Sequence, residues 1–409
     1  MTQRVVRLFR SYPRQFWVLF ASALISAAGG NLIWPFMTIY LHEKLMVPLA
    51  TVGVVFTITS VAGYFSQLVG GPFVDRFGRK PAILFSLVAQ TFIVAAFGFV
   101  GSLQVFAVLF VLSSLAWPLS GIGINAMVAD LVEPERRPSA YALQRIAMNV
   151  GVAIGPAIGG FIATKSYTLS FLLAASSFAI LILPYLFFVR ETRPETPLER
   201  ERGERTGYGR VLRDLPFLGF AGAFALMNLA YAQMLIYLPV YIKENYGIPE
   251  SGYGFILATN ALMVVLFQFA VTRVTERYPR LPVMALGTLL IATGLGSVAF
   301  FHTYFLFLLS MIIYTVGELI TAPTATAFVA DVAPVTMRGT YMAVYSICFG
   351  FGFGLGPMVG GVLHDTLGPA YIWHGAFLTG LISTAAFLLL NRVTRPAPVE
   401  VEPSMGSPQ

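Results

Sequence analysis

The sequence predicts an all-α integral membrane protein whose twelve transmembrane helices form two pseudo-symmetric six-helix bundles. Three observations carry that prediction. Of 409 residues, 57% are hydrophobic and 11% charged, with a mean hydropathy of +0.76. That leaves too little polar surface for a soluble domain of this length. Twelve apolar stretches are each long enough to cross about 30 Å of hydrocarbon, which takes roughly 20 helical residues. Finally, the chain echoes itself at a constant offset of 201 residues (331 minus 130): Asp130, Arg137, Gly151, Gly155, Pro156, Gly159 and Gly160 recur as Asp331, Arg338, Gly352, Gly356, Pro357, Gly360 and Gly361. The same offset carries Tyr40, Glu43 and Pro48 onto Tyr241, Glu244 and Pro249, and Gln67, Arg76 and Pro81 onto Gln268, Arg277 and Pro282. Two copies of one long module, both apolar, point to a carrier with its site at the repeat interface rather than to a solenoid.

In order, the spans fall at 15–41, 51–73, 81–100, 104–130, 140–163 and 168–189 in the first repeat. Those of the second repeat fall at 216–242, 252–272, 282–301, 304–330, 341–363 and 369–391. The first is too long for a signal-peptide core and ends in no small-residue cleavage site. The chain divides into an N-terminal segment (1–14), a first bundle (15–189), a linker (190–214), a second bundle (215–392) and a tail (393–409). Alternating charges, Pro and Gly mark 190–214 as a solvated tether, and the Pro-rich polar tail reads as disordered.

Basic residues orient the spans. All 26 Lys and Arg fall in the termini and the even-to-odd loops except Lys44, Lys165, Lys243 and the intraspan Arg145. This places both termini in the cytoplasm. The net charge of +7 is therefore a topology signal, and no nucleic-acid partner is expected. The single Cys348 excludes an intrachain disulfide and a Cys-rich metal site. The spans lack a Ser/His/Asp set, a His-rich metal set and paired carboxylates, which speaks against an enzyme. No P-loop is present, so ATP is not the energy source within this chain.

The loop after span two reads Gly71-Pro72-Phe73-Val74-Asp75-Arg76-Phe77-Gly78-Arg79-Lys80-Pro81. Asp75 and Asp130 close spans two and four at one level, and Arg79, four residues beyond Asp75, is placed to pair with either acid. A partly altered copy, Thr272…Glu276-Arg277-Tyr278-Pro279-Arg280, stands in the second repeat. In span five, Gly151-x-x-x-Gly155-Pro156-x-x-Gly159-Gly160 puts three glycines on one helix face, where small residues allow close helix approach in lipid. Pro156 removes a backbone bond.

The first loop resembles the signature G-x-L-[AG]-D-R-x-G-R-[KR] of the major facilitator superfamily, with Phe73 and Val74 as the departures. The span-five stretch resembles the antiporter motif of its drug:proton efflux branch. The resemblance covers the whole chain. It implies a major facilitator fold, alternating access by rocking of two halves, proton-coupled export of hydrophobic or amphipathic small molecules and no cofactor beyond the proton gradient; the alternative is proton-coupled efflux or uptake of one specific metabolite, such as a sugar, an amino-acid derivative or a lipid. The expected partners are the substrate, protons and the bilayer, for a monomer in a bacterial inner membrane. It also implies that Asp75, Arg76, Arg79 and Asp130 latch the halves together on the cytoplasmic side, the alternative being ordinary loop charges. One departure bears on coupling: the R-x-x-Q-G pattern of span four is absent, the region reading Leu112-Ser113-Ser114-Leu115-Ala116-Trp117-Pro118-Leu119-Ser120-Gly121.

Ionisable groups within spans cost roughly 2.5–3.5 kcal/mol at a helix centre, and two stand out. Glu318 lies 13 residues before Asp331 (331 minus 318), about 20 Å deep at the helical rise. It reads either as a proton or cation carrier or as a neutral, hydrogen-bonded structural acid. Arg145, shallower, reads either as snorkelling or pairing with Asp130, or as part of anion recognition and coupling. In this family spans one, four, seven and ten line the central cavity. Their polar and aromatic residues, Asn31, Trp34, Thr38, Trp117, Asn125, Asn228, Gln233, Tyr237 and Tyr314, describe as a set a mostly apolar cavity suited to an amphipathic substrate, although any single aromatic among them is more often a packing residue than a ligand contact.

Overall fold

The structure is a computed structural model that describes residues 12–133, 136–193, 211–334 and 337–393. Most of the expected N-terminal segment, linker and tail lies outside the described residues. Among the described residues there is no strand, and twelve helices are long and apolar enough to cross a membrane. The first six are α1 Arg14–Asn31, α2 Leu49–Phe77, α3 Arg79–Phe97, α4 Leu103–Leu131, α5 Arg137–Ala163 and α6 Tyr167–Phe188. The second six are α7 Leu215–Ile236, α8 Glu250–Thr275, α9 Arg280–Ser297, α10 Tyr304–Val332, α11 Arg338–Leu367 and α12 Tyr371–Val393. Each set packs on itself, and the two sets meet chiefly along α2 against α11 and α5 against α8. An even number of crossings puts Arg14 and Val393 on one face of the bilayer, the terminal face; the other is the far face.

Local chemistry explains the ends and breaks. Ser102, Ser166 and Asp214 cap α4, α6 and α7 by accepting from backbone N–H groups three residues on. A single residue separates α2 from α3, and Gly78 meets that turn with φ 101°, a region costly for any side chain. Two expected spans are not continuous. Trp34-Pro35-Phe36 forms a 3₁₀ turn after α1, and the expected span 216–242 breaks at Tyr237 into α7 and a separate helix, Leu238–Tyr246. Pro239 is the cause: it has no N–H for the Leu235 carbonyl and its ring crowds that turn. The orphaned Leu235 oxygen instead accepts from the Tyr253 hydroxyl at 3.1 Å, so no backbone acceptor is stranded in lipid.

The sequence repeat is a repeat of contacts. A Cβ on Gly53 would meet the Pro357 carbonyl, and one on Gly254 would meet the Pro156 carbonyl, both pairs shifted by the same offset. Likewise Gly160 abuts Glu250 and Gly361 abuts Leu49. These four contacts join the halves. Gly151, Gly155 and Gly159 face α1 and its extension within the first half, while Gly352, Gly356 and Gly360 face α7 and Tyr237 within the second. The glycine-rich stretch therefore has two jobs on two faces of one helix. A Cβ at Gly155 would stand 2.6 Å from the Ala28 backbone oxygen, so Gly155→Leu should cost about 1–3 kcal/mol of bundle packing by overpacking and lower the melting temperature. Gly254→Leu should leave the melting temperature near wild type and block the halves from closing, with transport lost. Equal melting temperatures for the two variants would overturn this division of roles.

Candidate functional site

A cavity of about 520 Å³ opens between the bundles, lined mainly by α1 to α4 and α6 of the first half. Its walls are aromatic and neutral-polar: Asn31, Trp34, Tyr64, Gln67 and Trp117 from the first half, with Ile236 and Phe353 closing it from the second. No Asp, Glu, Lys, Arg or His is among its described lining residues. A smaller chamber of about 190 Å³ continues from it, sharing Gln90, Trp117 and Phe178 and adding Asn125 and Gln144.

Of the residues the sequence places in the cavity, Asn31, Trp34 and Trp117 line the larger space and Asn125 the smaller. Thr38, Asn228, Gln233, Tyr237 and Tyr314 are buried and line neither. Four of them are hydrogen-bonded within the protein instead. Asn228 donates to the Phe224 carbonyl at 2.8 Å, Gln233 to that of Gly356 at 2.7 Å, and Tyr314 to that of Tyr231 at 3.2 Å. Tyr237 donates to the carbonyls of Pro357 and Leu49, tying α11 and α2 to α7.

Glu318 sits inside the second bundle, one aromatic layer from the cavity. Its Oε1 accepts from the Tyr231 hydroxyl at 2.9 Å and its Oε2 from the Asn260 amide at 2.8 Å. Asn260 also donates to Thr315 at 2.9 Å. Tyr231 packs on the cavity-lining Phe353, ring centroids 5.7 Å apart. Neither Tyr231 nor Asn260 is in the sequence-derived set. Tyr231 stands two residues before Gln233, and Asn260 interrupts an apolar run, which are the only signals the sequence offers.

Arg145 is exposed and close enough to Tyr345 of α11 to act on it electrostatically. The pairing with Asp130 expected as one possibility is not formed, because Asp130 is otherwise engaged. Its Oδ2 lies 3.2 Å from Arg79 Nε and accepts from Thr192 at 2.8 Å. Arg79 also reaches Asp75 at 3.7 Å. Arg76 points elsewhere, its guanidinium over the Phe77 ring at 5.6 Å. Glu191, assigned to the linker by the sequence reading, caps α3 by accepting from the Arg79 and Lys80 backbone N–H groups at 3.0 Å each, where a carboxylate complements the helix dipole. The altered copy in the second repeat keeps the central pair, Arg280 Nε to Asp331 Oδ2 at 3.3 Å.

The far face carries polar contacts of another kind, between the halves. Lys243 Nζ lies 2.6 Å from Glu43 and 2.7 Å from Glu250, and Tyr167 donates to Glu250 at 2.7 Å. Burial opposes the Lys243 charge, but the two carboxylates outweigh it and hold its pKa above the ordinary value. His42 Nε2 meets Glu244 at 3.0 Å while Nδ1 meets the Val47 carbonyl at 2.6 Å. The offset relates these ion pairs: His42 corresponds to Lys243 and Glu43 to Glu244. The Ala50 N–H donates to Asp365 at 2.8 Å, completing the seal. Close approaches of α2 to α11 run from Leu49 to Tyr64, and beyond them Gln67 is exposed. The molecule is therefore closed at its far face.

A family model described as Major Facilitator Superfamily matches residues 19–251 and 238–407. Over 363 residues the chain is 28% identical to a "Na(+), Li(+), K(+)/H(+) antiporter" of Planococcus maritimus, covering 80% of this chain and 84% of that protein. It is 25% identical to "Multidrug resistance protein MdtH" of Aeromonas hydrophila, covering 95% and 96%. Its fold matches a crystal structure of a variant of the nucleoside transporter NupG with a TM-score of 0.80 at 15% identity, covering 92% and 99%.

Proposed function

This chain belongs to the Major Facilitator Superfamily, and we propose that it exports hydrophobic or amphipathic small molecules in exchange for protons. As a member of that family it is a multi-pass membrane transporter, not an enzyme. The observation that carries the proposal is Glu318: a carboxylate held by Tyr231 and Asn260 one ring behind a cavity with aromatic walls. Such a cavity favours a flat or apolar solute, and a carboxylate separated from it by Tyr231 and Phe353 can gain or lose a proton as the cavity opens to water.

In this reading the protein works as a monomer in a bacterial inner membrane with its terminal face in the cytoplasm, following the positive-inside rule. The state described, closed at the far face, is then the one that loads substrate from the cytoplasm and the inner leaflet. The cluster of Asp75, Arg79 and Asp130 lies within one half in this state and engages the other half when the far face opens. Arg79→Ala should accordingly slow cycling about tenfold, the loss of roughly 1.4 kcal/mol in one conformation, lowering Vmax with KM unchanged. Unchanged turnover would reduce the cluster to a topology signal.

Similarity to the Planococcus protein favours a second reading, exchange of monovalent metal cations for protons. The deciding experiment uses proteoliposomes with an imposed pH gradient, comparing uptake of ethidium with that of Na⁺ and K⁺. Gradient-driven ethidium accumulation supports export of amphipaths. Cation-dependent dissipation of the gradient without ethidium movement supports the second reading.

A further inference from the structure

The smaller chamber holds a group that the transport scheme leaves without a task. Gln144, on α5, is only 5% exposed, and neither its amide nitrogen nor its amide oxygen has a hydrogen-bond partner. Both lie in a residue that lines the 190 Å³ space. An unsatisfied buried amide costs about 1–3 kcal/mol per group, so a residue kept this way is matched by something that enters. The neighbouring Gln90 shows the contrast: it donates to the Ser113 carbonyl and accepts from the Ser113 hydroxyl, both at 2.8 Å, so both of its polar atoms have a partner.

The chemistry of the chamber narrows what enters. Gln144 presents a donor and an acceptor in one plane, which is complementary to a group carrying an adjacent N–H and C=O. No Asp, Glu, Lys, Arg or His is among the chamber's described lining residues, so a full charge there would be desolvated without a counter-charge. Trp117 and Phe178, which meet edge to face at 5.7 Å, form the wall shared with the larger cavity, and a planar ring packs on such a wall. We propose that this chamber is a recognition subsite for a planar lactam or carboxamide, read by Gln144, with the apolar remainder of the molecule in the 520 Å³ cavity. The proposal rests on the reading of the chain as an exporter of amphipathic molecules and names a chemical class within it.

The test uses the full-length protein in lipid nanodiscs and three probes with the same alkyl tail: 6-octyl-2-quinolone, its N-methyl derivative and 6-octylquinoline. Wild type should bind the lactam about tenfold more tightly than the other two, each of which keeps an acceptor for the Gln144 N–H but lacks the N–H that donates to the Gln144 oxygen. Gln144→Leu and Gln144→Met should abolish the preference, bringing all three probes to similar affinity. Equal affinities in wild type would mean that water alone satisfies Gln144 and would overturn the proposal, as would a lactam preference that survives both substitutions. The N-methyl probe decides the matter in wild type even if neither variant folds. Proton-driven ethidium transport, measured on the same preparation, separates the two levels. Transport without lactam preference sinks the subsite alone, whereas lactam preference without transport sinks the exporter reading and leaves the subsite standing.

Discussion

Glu318→Gln is expected to abolish proton-driven accumulation of substrate while leaving energy-independent binding intact. Glutamine keeps the size of the side chain and its oxygen can still accept from Tyr231 or from Asn260, the two donors now 2.9 and 2.8 Å away. With that oxygen on Asn260, its amide N–H can donate to the Tyr231 hydroxyl oxygen, so what it loses is the ability to release a proton. A second variant separates the hydrogen bonds from the charge. Tyr231→Phe removes one donor and keeps the carboxylate, so it should retain coupling with an altered pH dependence. The measurement is substrate-induced pH change in proteoliposomes under an imposed gradient. Were Glu318→Gln still to concentrate substrate at the expense of protons, the carrier would be another group, with Arg145 and the Asp75–Asp130 cluster next to test.

What the sequence made legible is what depends on spacing along one helix or on the repeat. The offset that maps Gly53 onto Gly254 and Pro156 onto Pro357 is a property of the string, and it returns as two symmetry-related contacts between halves. The Asp75–Arg79–Asp130 cluster was legible because charges at a membrane edge have few partners to choose from. Partnership across the bundle was not. Helical spacing assigns Asn228 and Gln233 to positions on α7, but not which neighbour covers them, and α11 comes so close at Gly352 and Gly356 that both are covered. Tyr231 and Asn260 were missed for the same reason, since their meeting with Glu318 joins three helices far apart in sequence. The break at Tyr237 was legible in principle from Pro239, yet hydropathy alone runs straight through it.

The far-face lock supplies the other large effect. Lys243→Met should shift the conformational balance toward the state open at the far face by about 3–5 kcal/mol, the usual cost of stranding a partner of a buried ion pair. The reason is Glu250, which is 4% exposed and whose Oε1 is held by Lys243 and Tyr167. Without the ammonium one hydroxyl must hold a buried carboxylate, and Glu43 loses its cross-half partner as well. His42–Glu244, the repeat-related pair, cannot compensate fully. Its ring nitrogens both face oxygen acceptors, an arrangement satisfied only by the doubly protonated ring, whereas Lys243 is charged throughout the physiological range. Opening the far face removes the penalty because water then reaches Glu250, so the variant is stabilised in the open state relative to the closed one. A cysteine introduced at Ser60, on the cavity wall, in a Cys348→Ser background reports this as faster labelling by a membrane-impermeant maleimide added at the far face. Lys243→Arg should label at the wild-type rate, and adding Glu43→Gln and Glu250→Gln to Lys243→Met should recover most of the closure, since neutral partners leave no charge stranded. A labelling rate unmoved by Lys243→Met would mean that glycine packing at Gly53, Gly160, Gly254 and Gly361 closes the far face alone, with the ion pairs as bystanders.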